Sequence, residues 1–255
     1  MVDSLAYLTS LFIFTKNDVV SYVGNERNAA ILLYNYSKKG LIANIRRNLY
    51  CVCNLASKLP EANKMQIASA VTQTACVSFH SAMEYYGFSH QISYEMQIAS
   101  ESKFNDFDFD GIKYCYHKQT ISLGVIVPPA DSRIRVTDIE RTIIDCINRI
   151  DLCGGLEELM RCLQVVSYVD ELKLTNYLHA FANKSLYKKV GFLLEHYGKQ
   201  LHLSANFFLL CKEKSRNITT YLNEEREKCS FDKQWNLYVP DEIKTFNEIE
   251  ANDII

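Results

Sequence analysis

Two adjacent arginines, Arg46 and Arg47, stand at the centre of the run Leu41-Ile42-Ala43-Asn44-Ile45-Arg46-Arg47-Asn48-Leu49-Tyr50-Cys51-Val52. Apolar residues flank a basic, turn-prone middle, so the run predicts a β-hairpin tipped with guanidinium groups. Such a tip suits phosphate oxygens or a DNA minor groove; the alternative is an exposed basic hairpin with no ligand. Upstream, Asn25, Arg27 and Asn28 fall in the first turn of a predicted helix. Arginine and asparagine carry the donors and acceptors that match guanine and adenine edges. Asn25 reads equally well as a plain N-cap. Lys38 and Lys39 add positive charge at the other end of the same helix.

A second group, Asp138, Glu140, Arg141 and Asp145, brings three acids and one base into eight residues. Arg141 and Asp145 are spaced i,i+4, as an intrahelical ion pair requires. Thr137-Asp138-Ile139-Glu140 fits a capping box, with Thr137 accepting from the N3 amide and Glu140 reaching back. A capping box plus an ion pair explains all four residues; a functional cluster in this half of the chain is the other reading. Glu171-Leu172-Lys173 has the E-x-K form that nucleases use, but it sits in a predicted helix instead of a core strand. Gly-rich phosphate loops, G-x-S-x-G, H-E-x-x-H and paired C-x-x-C motifs are absent from the sequence. Cys51-Val52-Cys53 and Cys115-Tyr116-His117 lack partners at metal spacing and read as structural cysteines. His80 reads as a packing or capping residue. No cofactor is expected, and the chain is not expected to be an enzyme.

These side chains need elements to hold them. Leu5, Leu8, Leu11 and Phe12 recur at helical spacing over Asp3–Phe12. Thr15 predicts the cap of a second helix that stops at Gly24. Asn25 caps a third, Glu26–Lys39, with Ala29, Ala30, Leu32, Leu33 and Tyr36 as its buried stripe and Gly40 as its end. Three helices followed by a basic hairpin is the order of a winged helix-turn-helix, whose third helix enters the major groove while the wing meets the backbone.

Charge is distributed accordingly. The chain carries a net charge of −2, yet residues 1–60 hold seven Lys/Arg against three acids, leaving −6 for the remainder. A basic head fits a partner made of phosphates. With 48% hydrophobic and 23% charged residues, the chain has the composition of a globular protein. No apolar run approaches the roughly 18 residues of a membrane span. A secretory signal is not expected, and nine unpaired-looking cysteines fit a reducing cytoplasm.

Beyond the break at Asn54–Lys64, Met65–Ala70 reads as a short helix, and Ser78 caps another that ends at Gly87. Residues Ile92–Ser100, Ile112–Tyr116, Ser122–Val127 and Arg133–Val136 read as strands, with Asn105–Gly111 as a solvated turn. From Thr137 the chain reads as helical, with Ile139, Ile143, Ile144 and Ile147 buried, then Leu156–Val166, Glu171–Phe181 and Ser185–His196. A final strand is expected at Trp235–Pro240 and an acidic frayed tail over Glu242–Ile255.

The order of segments resembles the AbiEi family of bacterial antitoxins, the regulatory half of type IV toxin–antitoxin systems of abortive infection and phage defence. The resemblance rests on the Leu41–Tyr50 hairpin, Ile67-Ala68-Ser69, Val77-Ser78-Phe79-His80-Ser81-Ala82-Met83-Glu84-Tyr85-Tyr86-Gly87-Phe88, Arg135–Asp145 and Val190-Gly191-Phe192-Leu193-Leu194. It implies an N-terminal domain that represses its own operon by binding inverted repeats in double-stranded DNA. It also implies a C-terminal domain that neutralises a nucleotidyltransferase-like toxin without forming a stable complex. Asn48 stands where a Gly often follows the two arginines, and Asn tolerates the left-handed conformation needed there.

The sequence thus predicts an α+β protein: a winged helix-turn-helix at 1–60 and a mixed α/β antitoxin domain with a helical second half at 61–255. It is read as a cytoplasmic, autoregulating antitoxin. The alternatives are a winged-helix transcription regulator with a ligand-sensing or dimerising C-terminal domain, and an enzyme that covalently modifies the toxin.

Overall fold

The computed structural model describes residues 4–224 and 226–243. The chain is α+β, as expected, and divides into two compact units. The first comprises Met1–Val77, Tyr94–Lys118 and Val127–Arg135; the second comprises Ser78–Ser93, Gln119–Ile126 and Val136–Ile255. The boundary expected near residue 60 therefore falls inside the first unit.

The first unit opens with α1 (Ser4–Leu11), β1 (Ile13–Thr15), α2 (Lys16–Val23), α3 (Glu26–Lys38), β2 (Ile42–Arg46) and β3 (Leu49–Val52). Local chemistry sets these ends. Thr15 accepts from the Asp18 amide while Asp18 takes the Thr15 amide at 2.7 Å, a reciprocal cap for α2. Gly24 ends α2 at φ 84°, and Asn25 caps α3 by accepting from the Asn28 amide at 2.8 Å. Leu8, Phe14, Val19, Ala29, Leu33, Ile42 and Val52 interlock as a core, with Leu32 and Tyr36 partly buried against it. Ala30, expected in that stripe, is exposed. Strand β1 was not predicted; three residues are too few to show a period of two. It pairs antiparallel with β3, giving the order β1-β3-β2.

The same unit continues through α4 (Lys64–Ala70), β4 (Cys76–Val77), β5 (Glu95–Ser100), β6 (Phe107–Phe109) and β7 (Ile112–Lys118). Asn63 and Gln66 cap α4 reciprocally. Strand β5 pairs parallel with β7 and antiparallel with β4, and β6 pairs antiparallel with β7. Two expectations change here. Residues 92–94 do not join β5, and the expected turn over Asn105–Gly111 contains a strand. Phe107 and Phe109 alternate with acids, a period-two pattern hidden by the aspartates, and the turn narrows to Asp110 and Gly111, both at positive φ.

Two arginines tie Val127–Arg135 into this unit. Arg133 lies 4.1 Å from the Phe12 ring centroid and pairs with Asp131, which accepts from Gln66. Arg135 donates to the carbonyls of Ser69, Thr72 and Ala75, capping the C-terminal end of α4. The strand expected at Arg133–Val136 accordingly gives way to a β9 that begins at Val136.

The second unit holds α5 (Phe79–Tyr85), β8 (Val125–Ile126), β9 (Val136–Thr137), α6 (Ile139–Asn148), α7 (Leu156–Val165), α8 (Glu171–Phe181), α9 (Lys184–His196), α10 (Ala205–Lys214), β10 (Thr220–Tyr221), β11 (Cys229–Asp232) and β12 (Leu237–Pro240). The strand expected over Ser122–Val127 thus shortens to two residues. Ile143, Ile144 and Ile147 of α6 meet Leu159, Leu163, Leu174, Leu178, Val190, Leu194, Phe207 and Trp235 in one core, with Ile139 at its margin. Gly191 is required there, because a Cβ would overlap the Trp235 ring. Lys188 is buried, its ammonium donating to the Ile218 and Trp235 carbonyls, each at 2.7 Å. Helix α10 and strands β10 and β11 had no clear sequence signal. The acidic tail expected over Glu242–Ile255 lies outside the described residues from residue 244 onward.

Candidate nucleic-acid interface and a buried polar cluster

Helix α3 buries only Ala29 and Leu33. Arg27, Asn28, Lys38 and Lys39 are exposed, so every charged or amide side chain singled out along it, Asn25 included, faces solvent. Asn25 spends its side-chain oxygen on the cap, which is the plain reading of that residue. Between the ends of the helix lie Ile31 and Tyr34, 51% and 63% exposed, with the Lys38 ammonium 5.4 Å from the Tyr34 ring centroid. Neither side chain carries a charge that marks it in the sequence. Their spacing from Arg27 (i, i+4, i+7) puts all three on one stripe. The stripe thus combines a guanidinium, two apolar side chains and an ammonium on an open helix face. A shallow groove lined by Lys16, Ala30, Tyr34, Ser37, Asn44 and Tyr50 runs beside it.

The β2–β3 hairpin turns at Arg47 and Asn48, and Asn48 adopts the left-handed conformation at φ 65°. Arg47 is exposed at the tip. Arg46 is placed differently. Its guanidinium carbon lies 5.4 Å from the Phe104 ring centroid and 5.1 Å from that of Phe107. The adjacent arginines therefore occupy different environments, one free and one stacked.

Asp138, Glu140, Arg141 and Asp145 come together on α6, each no more than 6% exposed. The expected Thr137 capping box is not formed. Asp138 is the N-cap instead, accepting from the Arg141 amide at 2.9 Å, while the Thr137 hydroxyl lies 2.7 Å from that of Thr142. The strand runs one residue further than expected, which moves the cap from Thr137 to Asp138. Glu140 then reaches away from its own helix to accept from the Asp170 amide at 2.8 Å, capping-box geometry being denied to it.

Arg141 donates from Nε to both oxygens of Asp145 at 2.9 Å and from Nη1 to the Ile121 and Leu123 carbonyls. The Tyr177 hydroxyl donates to Asp138 at 2.7 Å, and the Lys173 ammonium lies 3.4 Å from both Asp138 and Glu140. Lys173 and Tyr177 come from α8, and no local pattern links them to this group. Gly124, at φ 78°, lets the chain pass over Arg141, where a Cβ would approach the arginine Cβ at 2.7 Å. Burial pushes the Asp145 carboxyl up to about 6, against the opposing pull of Arg141. Burial and the Asp138 hydrogen bond likewise push the Tyr177 phenol up. A buried, hydrogen-bonded cluster of this kind ties α6 to α8 and to the segment at Ile121–Leu123.

The remaining candidates resolve into structure. Glu171 accepts from the backbone and hydroxyl of Ser204, so Glu171 and Lys173 face different partners. His80 is buried with its Nε2 3.2 Å from Glu158, which also accepts from the His90 and Gln91 amides. None of the nine cysteines is in a disulfide, and eight are buried. Among the described residues, no group of three or more His, Cys, Asp or Glu side chains is placed to hold a metal ion. Among the same residues, no helix is long and apolar enough to cross a membrane.

No protein-family model and no curated protein matches the chain. Its fold is similar to the crystal structure of the RV2827C protein from Mycobacterium tuberculosis. That likeness has a TM-score of 0.63 at 11% identity and covers 98% of this chain and 96% of the other. At that identity the likeness concerns the fold alone.

Proposed function

We propose that this chain is a cytoplasmic DNA-binding regulator of the antitoxin class, which represses its own operon and separately neutralises a nucleotidyltransferase-like toxin. The observation that carries the DNA reading is the order α1-β1-α2-α3-β2-β3 with its β1-β3-β2 sheet. That layout fits a winged helix-turn-helix, with α3 as the recognition helix and the hairpin as the wing. Arg27, Asn28, Lys38 and Lys39 on α3 and Arg47 on the hairpin supply open donors for base edges and phosphates. Ile31 and Tyr34 supply apolar contact of the kind a thymine methyl takes. The antitoxin reading rests on the sequence resemblance.

Growth of cells expressing the neighbouring gene, with and without the full chain, tests the antitoxin half. Rescue is the expected result, and co-purification should recover no stable complex. A harmless neighbour favours the second reading, a transcription regulator whose second unit senses a ligand. That reading draws on one feature, a cleft of about 500 Å³ lined in part by Gln91, Asn148, Arg149, Lys189 and Asn223.

A further inference from the structure

If the hairpin is a DNA-contacting wing, its two arginines would be expected to share the task. We propose instead that Arg46 is the pin that fixes the wing and that, of the two, Arg47 alone is the phosphate contact. This rests on the DNA-binding reading for Arg47, while the pin itself does not.

The division begins in the backbone. Asn44 pairs with Tyr50 and Arg46 with Leu49, so Ile45 is the extra residue of a β-bulge. A bulge re-aims the side chains that follow it. Ile45 points into the core and Arg46 turns toward the β5–β7 sheet, where strand β6 lies against β2. There the guanidinium meets Phe104 and Phe107 together. Those rings are themselves fixed: Phe107 stacks on Tyr114 at 4.7 Å, and Phe104 meets Tyr116 edge-on at 5.2 Å. A cation over two aromatic faces is held by the ring quadrupoles. The Nη1 atom is buried without a hydrogen-bond partner, and burial lowers the pKa of the group.

For Arg46 to reach a phosphate it would have to leave both rings. The turn that follows β6 also presents exposed Asp110, whose charge opposes a phosphate nearby. Arg47, one residue on, has neither restraint. Its position at a two-residue turn is set by the strands that Arg46 clamps, so Arg46 acts on DNA binding through Arg47.

The test uses the full chain and two readouts. Amide hydrogen exchange of β2 and β3 is measured without DNA, and affinity for a duplex taken from upstream of the gene is measured against salt. Arg46→Met, which keeps the aliphatic stem, should lose hairpin protection, and Phe107→Leu should reproduce that loss without altering any charge. Arg47→Met should leave protection unchanged. In the salt series, Arg47→Met should reduce the slope of log K against log salt by about one, while Arg46→Met and Phe107→Leu should match each other in slope, since both act by loosening the hairpin. Unchanged exchange in Arg46→Met overturns the pin, whether or not DNA binds. A slope reduced by Arg46→Met but kept by Phe107→Leu overturns the division of labour, because only a direct phosphate contact follows the charge alone. Absence of DNA binding by the parent chain defeats the wing reading, and the exchange readout then decides the pin alone.

Discussion

Arg141 and Asp145, one helical turn apart on α6, are joined through Nε at 2.9 Å to both carboxylate oxygens, with both side chains almost wholly buried. Nη1 of Arg141 donates to the Ile121 and Leu123 carbonyls, so the pair also anchors the chain that crosses above it. Losing the arginine strands a buried carboxylate and two carbonyls. Arg141→Met should therefore destabilise the fold by about 3–5 kcal/mol, read as a shift in the denaturant midpoint. A change below about 1 kcal/mol, the range of surface pairs, would remove the pair from the account of stability.

The same site gives a pH dependence. Asp145 has its carboxyl raised from 3.8 to about 6, by burial first and by the nearby Asp138 in smaller part, with Arg141 opposing. Between those values the folded chain holds a proton that the unfolded chain has released. Its contribution to stability is complete below the lower value and is lost as pH rises toward 6. Unfolding free energies measured from pH 4 to 7 should show this fall in the parent chain and a flatter profile in Asp145→Asn. Parallel profiles would assign the dependence to other groups.

Gly191 explains a sequence feature that composition does not. A Cβ at this position overlaps the Trp235 ring and comes within 2.9 Å of the Cys211 Cβ. Gly191→Ala should cost about 1–3 kcal/mol through overpacking. Because the chain has one tryptophan, its fluorescence reports the displacement directly. An unchanged emission spectrum together with unchanged stability would contradict this packing.

Thiol chemistry offers a check on the burial pattern. Cys229 is the one cysteine with partial exposure; the other eight are buried. Two of the buried thiols, Cys51 and Cys211, have pKa values pushed up by burial to about 12. A thiol reagent should label one cysteine in the folded chain and nine after denaturation. Rapid labelling of more than one would contradict the burial of the other eight.

The extent of the first unit predicts how fragments behave. Residues 1–60 lack Phe104 and Phe107, against which Arg46 stacks, and Arg133, which covers Phe12. A 1–60 fragment should thus be less stable than the same segment in the full chain, as exchange protection of β2 and β3 would show. Equal protection would make the remainder of the unit dispensable.

How far the sequence disclosed this arrangement depended on the range of each interaction. The caps at Thr15 and Asn25 and the stop at Gly24 are local, written in neighbouring residues, and stand where they were read. The Arg141–Asp145 pair was legible for the same reason, as an i,i+4 spacing. The partners that close the cluster, Lys173 and Tyr177, lie more than thirty residues away, and nothing in their own surroundings marks them. Strand β6 was hidden because aspartates between phenylalanines look like a turn until the alternation is weighed. Arg46 and Arg47 read alike because composition cannot separate two arginines that a bulge sends different ways. The short strands β1, β8 and β9 carry too few residues to display a period.

The measurement that bears most directly on the central claim is binding of the full chain to duplex DNA from upstream of its own gene, compared with a scrambled duplex at the same salt. Preference for the upstream duplex of about 10³ or more is expected, with Arg27→Ala reducing that preference. Equal affinity for the two duplexes, or no binding to either, would contradict a sequence-reading winged helix in this protein.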